Sequence, residues 1–218
     1  MLRVLSLFLA TILSLFFVNC STSNKLSDNI THNCFKYVFA GNVQLLSDQI
    51  KECVAYRNAD RITVLMMAAL KGNDQMVELL IKNGSDVNAQ DLIGQNSLSY
   101  AIIKNNVDTV GLLVQHGARI VSNEYGITSL MTAVQMGKPE LVRALEPDSI
   151  SINMRTYEGW SALYFAVRGG KREIFDYLIE RGACTEMQDN LRQTPLQFAR
   201  ELGWWHAQNR LQKSVACR

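Results

Sequence analysis

Five short blocks of the chain carry one skeleton: Thr63-x-Leu65-x-x-Ala68, Asn96-x-Leu98-x-x-Ala101, Thr128-x-Leu130-x-x-Ala133, Ser161-x-Leu163-x-x-Ala166 and Thr194-Pro195-Leu196-x-x-Ala199. Their first residues lie 33, 32, 33 and 33 positions apart. A fixed period in this range belongs to stacked repeats, in which no unit buries its apolar face alone and each neighbour completes it. Such a chain is a binding surface before it is anything else.

The rest of each unit recurs in phase. Nine residues after each block start stands Gly72, Asn105, Gly137, Gly170 or Gly203. Glycine and asparagine tolerate a left-handed backbone, so this position reads as the sharp turn between two antiparallel helices. Seventeen residues after each start stands Leu80, Leu113, Leu145, Leu178 or Leu211. In the first four units Val77, Val110, Val142 or Phe175 precedes it at helical spacing. Each unit is therefore a helical hairpin with one apolar side. Gly84, Gly117 and Gly182 close the second helix in three units, and Gly94, Gly126 and Gly159 mark a tight loop two residues before the next block.

These residues resemble ankyrin repeats, whose core is Thr-Pro-Leu-His-x-Ala at a period of 33. Thr194-Pro195-Leu196 fits that core, and Lys82-Asn83-Gly84-Ser85-Asp86-Val87-Asn88-Ala89 follows the family loop. The resemblance implies an all-α solenoid of stacked helical hairpins with β-hairpin-like loops. Its units fall at about 58–90, 91–122, 123–155, 156–188 and 189–212, with 213–218 as a tail. The family histidine is replaced by Met66, Ser99, Met131, Tyr164 and Gln197, so its hydrogen bonds between units are not expected. Arg61 and Arg192 replace a loop glycine, and Glu146-Pro147-Asp148-Ser149 ends the third unit without one. Residues 31–57 read as a degenerate N-terminal capping unit. At the other end, Trp204 and Trp205 read as a cover for the last apolar face.

The first twenty residues are of another kind. One charge at Arg3 precedes an apolar run over 4–18, too short to span a membrane but suited to a secretory signal over 1–19. Phe17-Val18-Asn19-Cys20 resembles a bacterial lipobox, with Phe17 and Asn19 departing from the usual residues; it implies lipidation at Cys20 and a polar tether over 20–30, with a simple secretory signal or an uncleaved anchor as the alternatives. The expected setting is the bacterial cell envelope, facing the periplasm from the inner or the outer membrane.

With Cys20 taken by lipid, Cys34, Cys53, Cys184 and Cys217 remain, an even number in a disulfide-permitting compartment. If the cap is a helical hairpin, Cys34 and Cys53 lie at the same end of it and can bridge, which stabilises a closed loop of this length by about 3 kcal/mol. Cys184 and Cys217 stand one repeat apart, and units stacked at about 10 Å leave that pair the less favoured. Four buried thiols are the alternative.

The 22 Lys and Arg nearly cancel the 20 Asp and Glu, which gives no basic face for nucleic acid. The sequence carries no Gly-x-Ser-x-Gly, His-Glu-x-x-His, Cys-x-x-Cys or phosphate-cradling motif. His32, His116 and His206 are scattered and read as solvated residues, so no enzyme, cofactor or metal is expected. The cluster Arg168-Gly169-Gly170-Lys171-Arg172 spans a helix turn and reads as solvated surface, or as a contact for an acidic partner or lipid headgroups.

Family resemblance puts the free positions one, three and four residues before each block start and seven and eight after it. The protein-binding candidates there are Leu92, Ile93, Gln95, Ile103, Lys104, Glu124, Tyr125, Ile127, Met136, Tyr157, Glu158, Trp160 and Arg168. Their apolar and aromatic content is that of an interface, with Trp160 and Tyr157 at its centre. The partner expected is another protein, bound by a chain that is monomeric when alone. Some bacterial ankyrin lipoproteins are immunity proteins against secreted toxins such as lipases; scaffolding of an endogenous envelope protein is the other reading.

Overall fold

The computed structural model describes residues 27 to 213, with side chains from 33 onward. Cys20, Cys217, the signal stretch and the side chain of His32 lie outside the described residues. Among these residues are thirteen α-helices and one short 3-10 turn.

The block residues form the helices they do because each block start is an N-cap. The Thr63, Thr128, Ser161 and Thr194 hydroxyls, and Asn96 Oδ1, each accept from the backbone N–H three residues on. Such a cap satisfies one of the orphan donors of a helix start and stabilises it by about 1 kcal/mol. The inner helices follow: α4 (Val64–Lys71), α6 (Ser97–Ile103), α8 (Ser129–Met136), α10 (Ala162–Arg168) and α12 (Pro195–Glu201). Each turns back at a left-handed residue, with φ 68° at Gly72, 60° at Asn105, 68° at Gly137, 60° at Gly170 and 66° at Gly203. Outer helices then run antiparallel: α5 (Asp74–Lys82), α7 (Val107–Gln115), α9 (Pro139–Ala144), α11 (Arg172–Glu180) and α13 (Trp205–Lys213).

Inner helices pack on inner helices along the array, and outer on outer from α5 to α11. Between the layers lies one continuous core, in which Leu65, Leu98, Leu130 and Leu163 of the blocks and Leu80, Leu113, Phe175 and Leu178 of the outer helices are fully buried. A fully buried side chain of this size contributes about 1.5–3 kcal/mol of hydrophobic stabilisation.

Both ends depart from the regular unit. The N-terminal cap has three helices, α1 (Ser27–Ala40), α2 (Val43–Asp48) and α3 (Ile50–Ala55), and α1 packs on α4. Helix α1 takes in residues 27–30, which the sequence assigns to the tether. Cys34 of α1 and Cys53 of α3 form a disulfide with their Cα atoms 5.5 Å apart, both fully buried. Phe35 meets Tyr56 edge-on at 5.2 Å beside it. Cys184 is disulfide-bonded too.

At the C-terminal end only half of the tryptophan pair covers the apolar face. Trp204 lies 5.2 Å from the Phe175 ring, whereas Trp205 is exposed. His206 is a half-buried residue of this cap: its Nε2 lies 2.8 Å from Asp176 Oδ1 and thereby ties α13 to α11. In the third unit α9 has six residues where α5, α7 and α11 have nine, and Glu146 takes the left-handed backbone (φ 42°) that a glycine takes elsewhere.

Candidate protein-binding surface

Before each inner helix the chain makes a hairpin-like tip, closed in units one and three by antiparallel bridges, Arg57 with Thr63 and Ser122 with Thr128. The tip is built on the residue five before the block start. Asp91 Oδ1 accepts from the N–H of Ile93 and of Gln95, Asn123 Oδ1 from Tyr125 and Ile127, and Asp189 Oδ1 from Leu191 and Gln193. Asn58 and the Thr156 hydroxyl each make one such bond, to Ile62 and Trp160. These five residues support the whole surface, and the sequence reading passes over them. The signal was present, since Asn, Asp and Thr recur there in phase and such side chains bond their own backbone in turns.

Successive tips are then stitched together. The N–H of Leu92 donates to Asp60 O at 3.0 Å, Glu124 to Ile93 O at 3.1 Å, Tyr157 to Tyr125 O at 3.4 Å and Asn190 to Glu158 O at 3.0 Å. This close approach explains the glycine two residues before each inner block. A Cβ on Gly126 would stand 2.9 Å from Thr156 Cα, and one on Gly159 2.9 Å from Asp189 Cα. Arg192 takes the same left-handed backbone (φ 60°) in the last tip of the array.

The three tip positions are not equivalent. Four residues before the block, every side chain is exposed: Ala59, Leu92, Glu124, Tyr157 and Asn190. One residue before it, none is. Ile62, Ile127 and Trp160 pack partly on the core, and Gln95 is only 9% exposed, so Gln95 is not an accessible contact. This position borders the first turn of the inner helix, where the side chain falls between the tip and the helix layer.

Trp160 is likewise half-buried rather than a free anchor. Its ring stacks on Tyr164 (5.1 Å, 7° between planes), meets Phe165 edge-on at 5.8 Å and lies beneath the Arg168 guanidinium at 5.4 Å. Tyr164 in turn lies 4.8 Å from Phe198 of the next unit. The aromatic block forms a rigid floor, and the accessible apolar groups stand on the tips: Leu92 (60% exposed), Tyr125 (50%), Tyr157 (71%) and Leu191 (80%). Leu191 belongs to this row although the sequence reading stops at unit four. Ile93, Ile103, Ile127 and Met136 are half-buried between tips and turns; Lys104 and Glu158 are exposed, and Arg168 is half-buried.

Asp91 is the most unusual titrating group of the surface. It is 7% exposed, and the Tyr100 hydroxyl donates to its Oδ2 at 2.9 Å. Burial, with a smaller push from Asp60, raises its carboxyl above the usual aspartate range. Burial and the neighbouring carboxylate raise the Tyr100 phenol as well, so it stays protonated. Among the described residues no group of histidine, cysteine and carboxylate side chains is placed to hold a metal ion.

Ankyrin repeats match the chain in three overlapping copies, over residues 31–124, 65–156 and 130–204. The chain belongs to the ankyrin-repeat family. Over 126 residues it is 32% identical to an ankyrin repeat protein of Acanthamoeba polyphaga mimivirus, which is 57% of this chain and 16% of that protein. It is 34% identical over 125 residues to an alpha-latrotoxin of Latrodectus geometricus, 55% of this chain and 9% of the toxin. An ankyrin repeat and KH domain-containing protein of Caenorhabditis elegans is 27% identical over 143 residues, 64% of this chain and 6% of that protein. The similarity covers a small part of each of these relatives. Ankyrin repeats are a protein-interaction module, not a catalytic family.

Proposed function

We propose that this ankyrin-repeat chain is a lipid-anchored protein of the bacterial envelope that binds another protein through its row of tips. The partner in this reading is a secreted toxin, such as a lipase that attacks the envelope, and the chain is its immunity protein. One observation carries the binding role: Leu92, Tyr125, Tyr157 and Leu191 stand exposed on four successive, hydrogen-bonded tips. Aromatic and aliphatic side chains held in the open on a rigid frame are what interface centres are made of. About 800 Å² on each side is a standard interface, enough to cover the mouth of an active-site cleft.

The envelope setting rests on the leader and on Phe17-Val18-Asn19-Cys20. A buried Cys34–Cys53 disulfide fits an oxidising compartment. Lipidation at Cys20 would hold the inhibitor where an envelope-directed toxin works. Deletion of the gene tests this reading: cells lacking it should become sensitive to toxin-bearing siblings, and Cys20→Ala should move the protein from the membrane to the soluble fraction. Unchanged resistance together with loss of an endogenous envelope protein would make the chain a scaffold instead.

A further inference from the structure

The tips and the exposed side of the inner helices together form a palm, in which charge is sorted by edge. In units three and four the exposed acids Glu124 and Glu158 stand on the tips. At the opposite end of the inner helices stand cations: Lys104 at the end of α6, Lys138 just beyond α8 and Arg168 at the end of α10. Lys171 and Arg172 follow at the start of α11. Helix C-termini favour cations, which explains Lys104 and Arg168 singly; Lys138, Lys171 and Arg172 stand at the starts of outer helices, where the dipole does not favour them. Their alignment along three stacked units is a property of the array.

The charges that break the pattern lie off the palm or outside units two to four. Asp108, Glu140 and Glu173 occupy the first turns of the outer helices, one layer back, and Glu173 is paired with Arg143 at 2.8 Å. Arg155 is the exception, an exposed cation beside the acidic edge, but it is held by backbone acceptors, its Nε donating to Gly159 O at 3.2 Å and its Nη2 to Gln188 O at 2.8 Å. Unit five reverses the order, with Arg192 on the tip and Glu201 at the end of α12, so the sorted region stops there. Between the two edges stand the half-buried Ile93, Ile103, Ile127, Met136 and Trp160, with the exposed Gln135 of α8 among them.

We propose that the palm of units two to four takes a segment of the partner protein with a basic residue at one end, apolar residues in the middle and an acidic residue at the other. The basic end lies against the neighbouring tips of Glu124 and Glu158, and the acidic end against the cationic edge that runs from Lys104 to Arg168. Helix α8, with eight residues, sets the distance between the edges at about 12 Å. Four or five extended residues at about 3.3 Å each cover that span. Arg168 is well suited to the acidic end, because packing on the Trp160 ring holds its guanidinium in place and leaves less rotamer entropy to lose on binding. The two edges together set the direction in which the segment lies, since the reversed segment would place like charges together at both.

This inference rests on the reading that the row of tips is the binding face, and one experiment separates the two. A random 12-residue phage-displayed peptide library is panned on the purified full-length chain. The enriched peptides should carry Lys or Arg toward one end and Asp or Glu toward the other, around apolar residues. Their capture should fall at least about tenfold on the Glu124→Lys, Glu158→Lys variant and on the Lys104→Glu, Arg168→Glu variant. It should return when all four changes are combined, because the peptide can then bind the other way round. A variant weakened only by misfolding gives no such rescue. Peptides without charge order, an empty selection, or capture unmoved by both paired variants would overturn the inference. If such unordered peptides were still lost on Tyr125→Ala with Tyr157→Ala, the tips would remain the binding face; if they were not, that reading would fall too.

Discussion

At the scale of the residue, the tips depend on backbone that only certain side chains permit. Gly126 combines φ 74° with a Cβ position 2.9 Å from Thr156 Cα, whereas Gly84 has φ 95° and open space around it. Gly126→Ala is expected to destabilise by about 2–3 kcal/mol and Gly84→Ala by about 1, read as shifts of the urea midpoint. Asp91 makes a second test. Its raised carboxyl favours folding while protonated, so that contribution is fully present below its unfolded-state value and is lost as pH rises through the folded one. Asp91→Asn keeps acceptors for Ile93 and Gln95, as Asn123 does for its own tip. The urea midpoint of the native chain is therefore expected to fall relative to Asp91→Asn between acid and neutral pH; parallel curves would contradict the assignment.

What single residues disclose in the sequence follows from whether their role is local. The left-handed turn at Gly72, Asn105, Gly137, Gly170 and Gly203 is a property of one residue's backbone, and it is legible. The burial of Gln95 and the stacking of Trp160 on Tyr164 are set by neighbours, and a list of repeat positions treats them as equal to Leu92 and Tyr157. Substitution of the histidine position is legible, but its consequence is only half so. Met66 and Met131 still take a bond within their own unit, with Sδ accepting from Thr63 N at 3.3 Å and from Thr128 N at 3.5 Å, while Gln197 Oε1 accepts from Thr194 N at 2.8 Å.

At the scale of the element, the ends of the array are where a linear stack lacks a neighbour, and each is fastened in its own way. The Cys34–Cys53 disulfide ties α1 to α3, with a sequence separation of 19. Replacing both with alanine is expected to remove about 3 kcal/mol from the cap. Hydrogen exchange should then rise over 27–57, while α8 to α11 keep their protection, because each unit of such a stack touches only its neighbours. Equal loss along the whole chain would contradict that picture. At the far end Asp176→Ala removes the partner of His206 and should speed exchange in α13 first. The pairing of Cys34 with Cys53 was open in the sequence to the extent that a hairpin-like cap was, whereas the His206–Asp176 contact joins residues 30 apart on helices whose relative rotation no spacing discloses. The short α9 and its left-handed Glu146 were announced only by a missing glycine.

At the scale of the molecule, the stack turns local regularity into a surface. Every unit contributes a tip at the same height, the ladder of N–H to C=O bonds locks them in a row, and the side chains four before each block point outward with no part in the core. Substitutions of these exposed tip side chains should therefore change binding and leave stability within about 0.5 kcal/mol, the usual range for exposed positions. The loop after α9 supplies the control, because Ile150 there is an exposed apolar residue that belongs to no tip.

The most direct test is quantitative recovery of the partner, crosslinked in intact cells, by three forms of the chain. These are the native form, a tip variant with Leu92, Tyr125, Tyr157 and Leu191 all changed to alanine, and Ile150→Ala. Recovery by the tip variant should drop at least about tenfold with its circular dichroism unchanged, since a buried anchor contributes about 1–2 kcal/mol or more, and Ile150→Ala should recover as much as the native chain. Equal recovery by the native chain and the tip variant, or loss on Ile150→Ala alone, would contradict the assignment of the tips as the binding face.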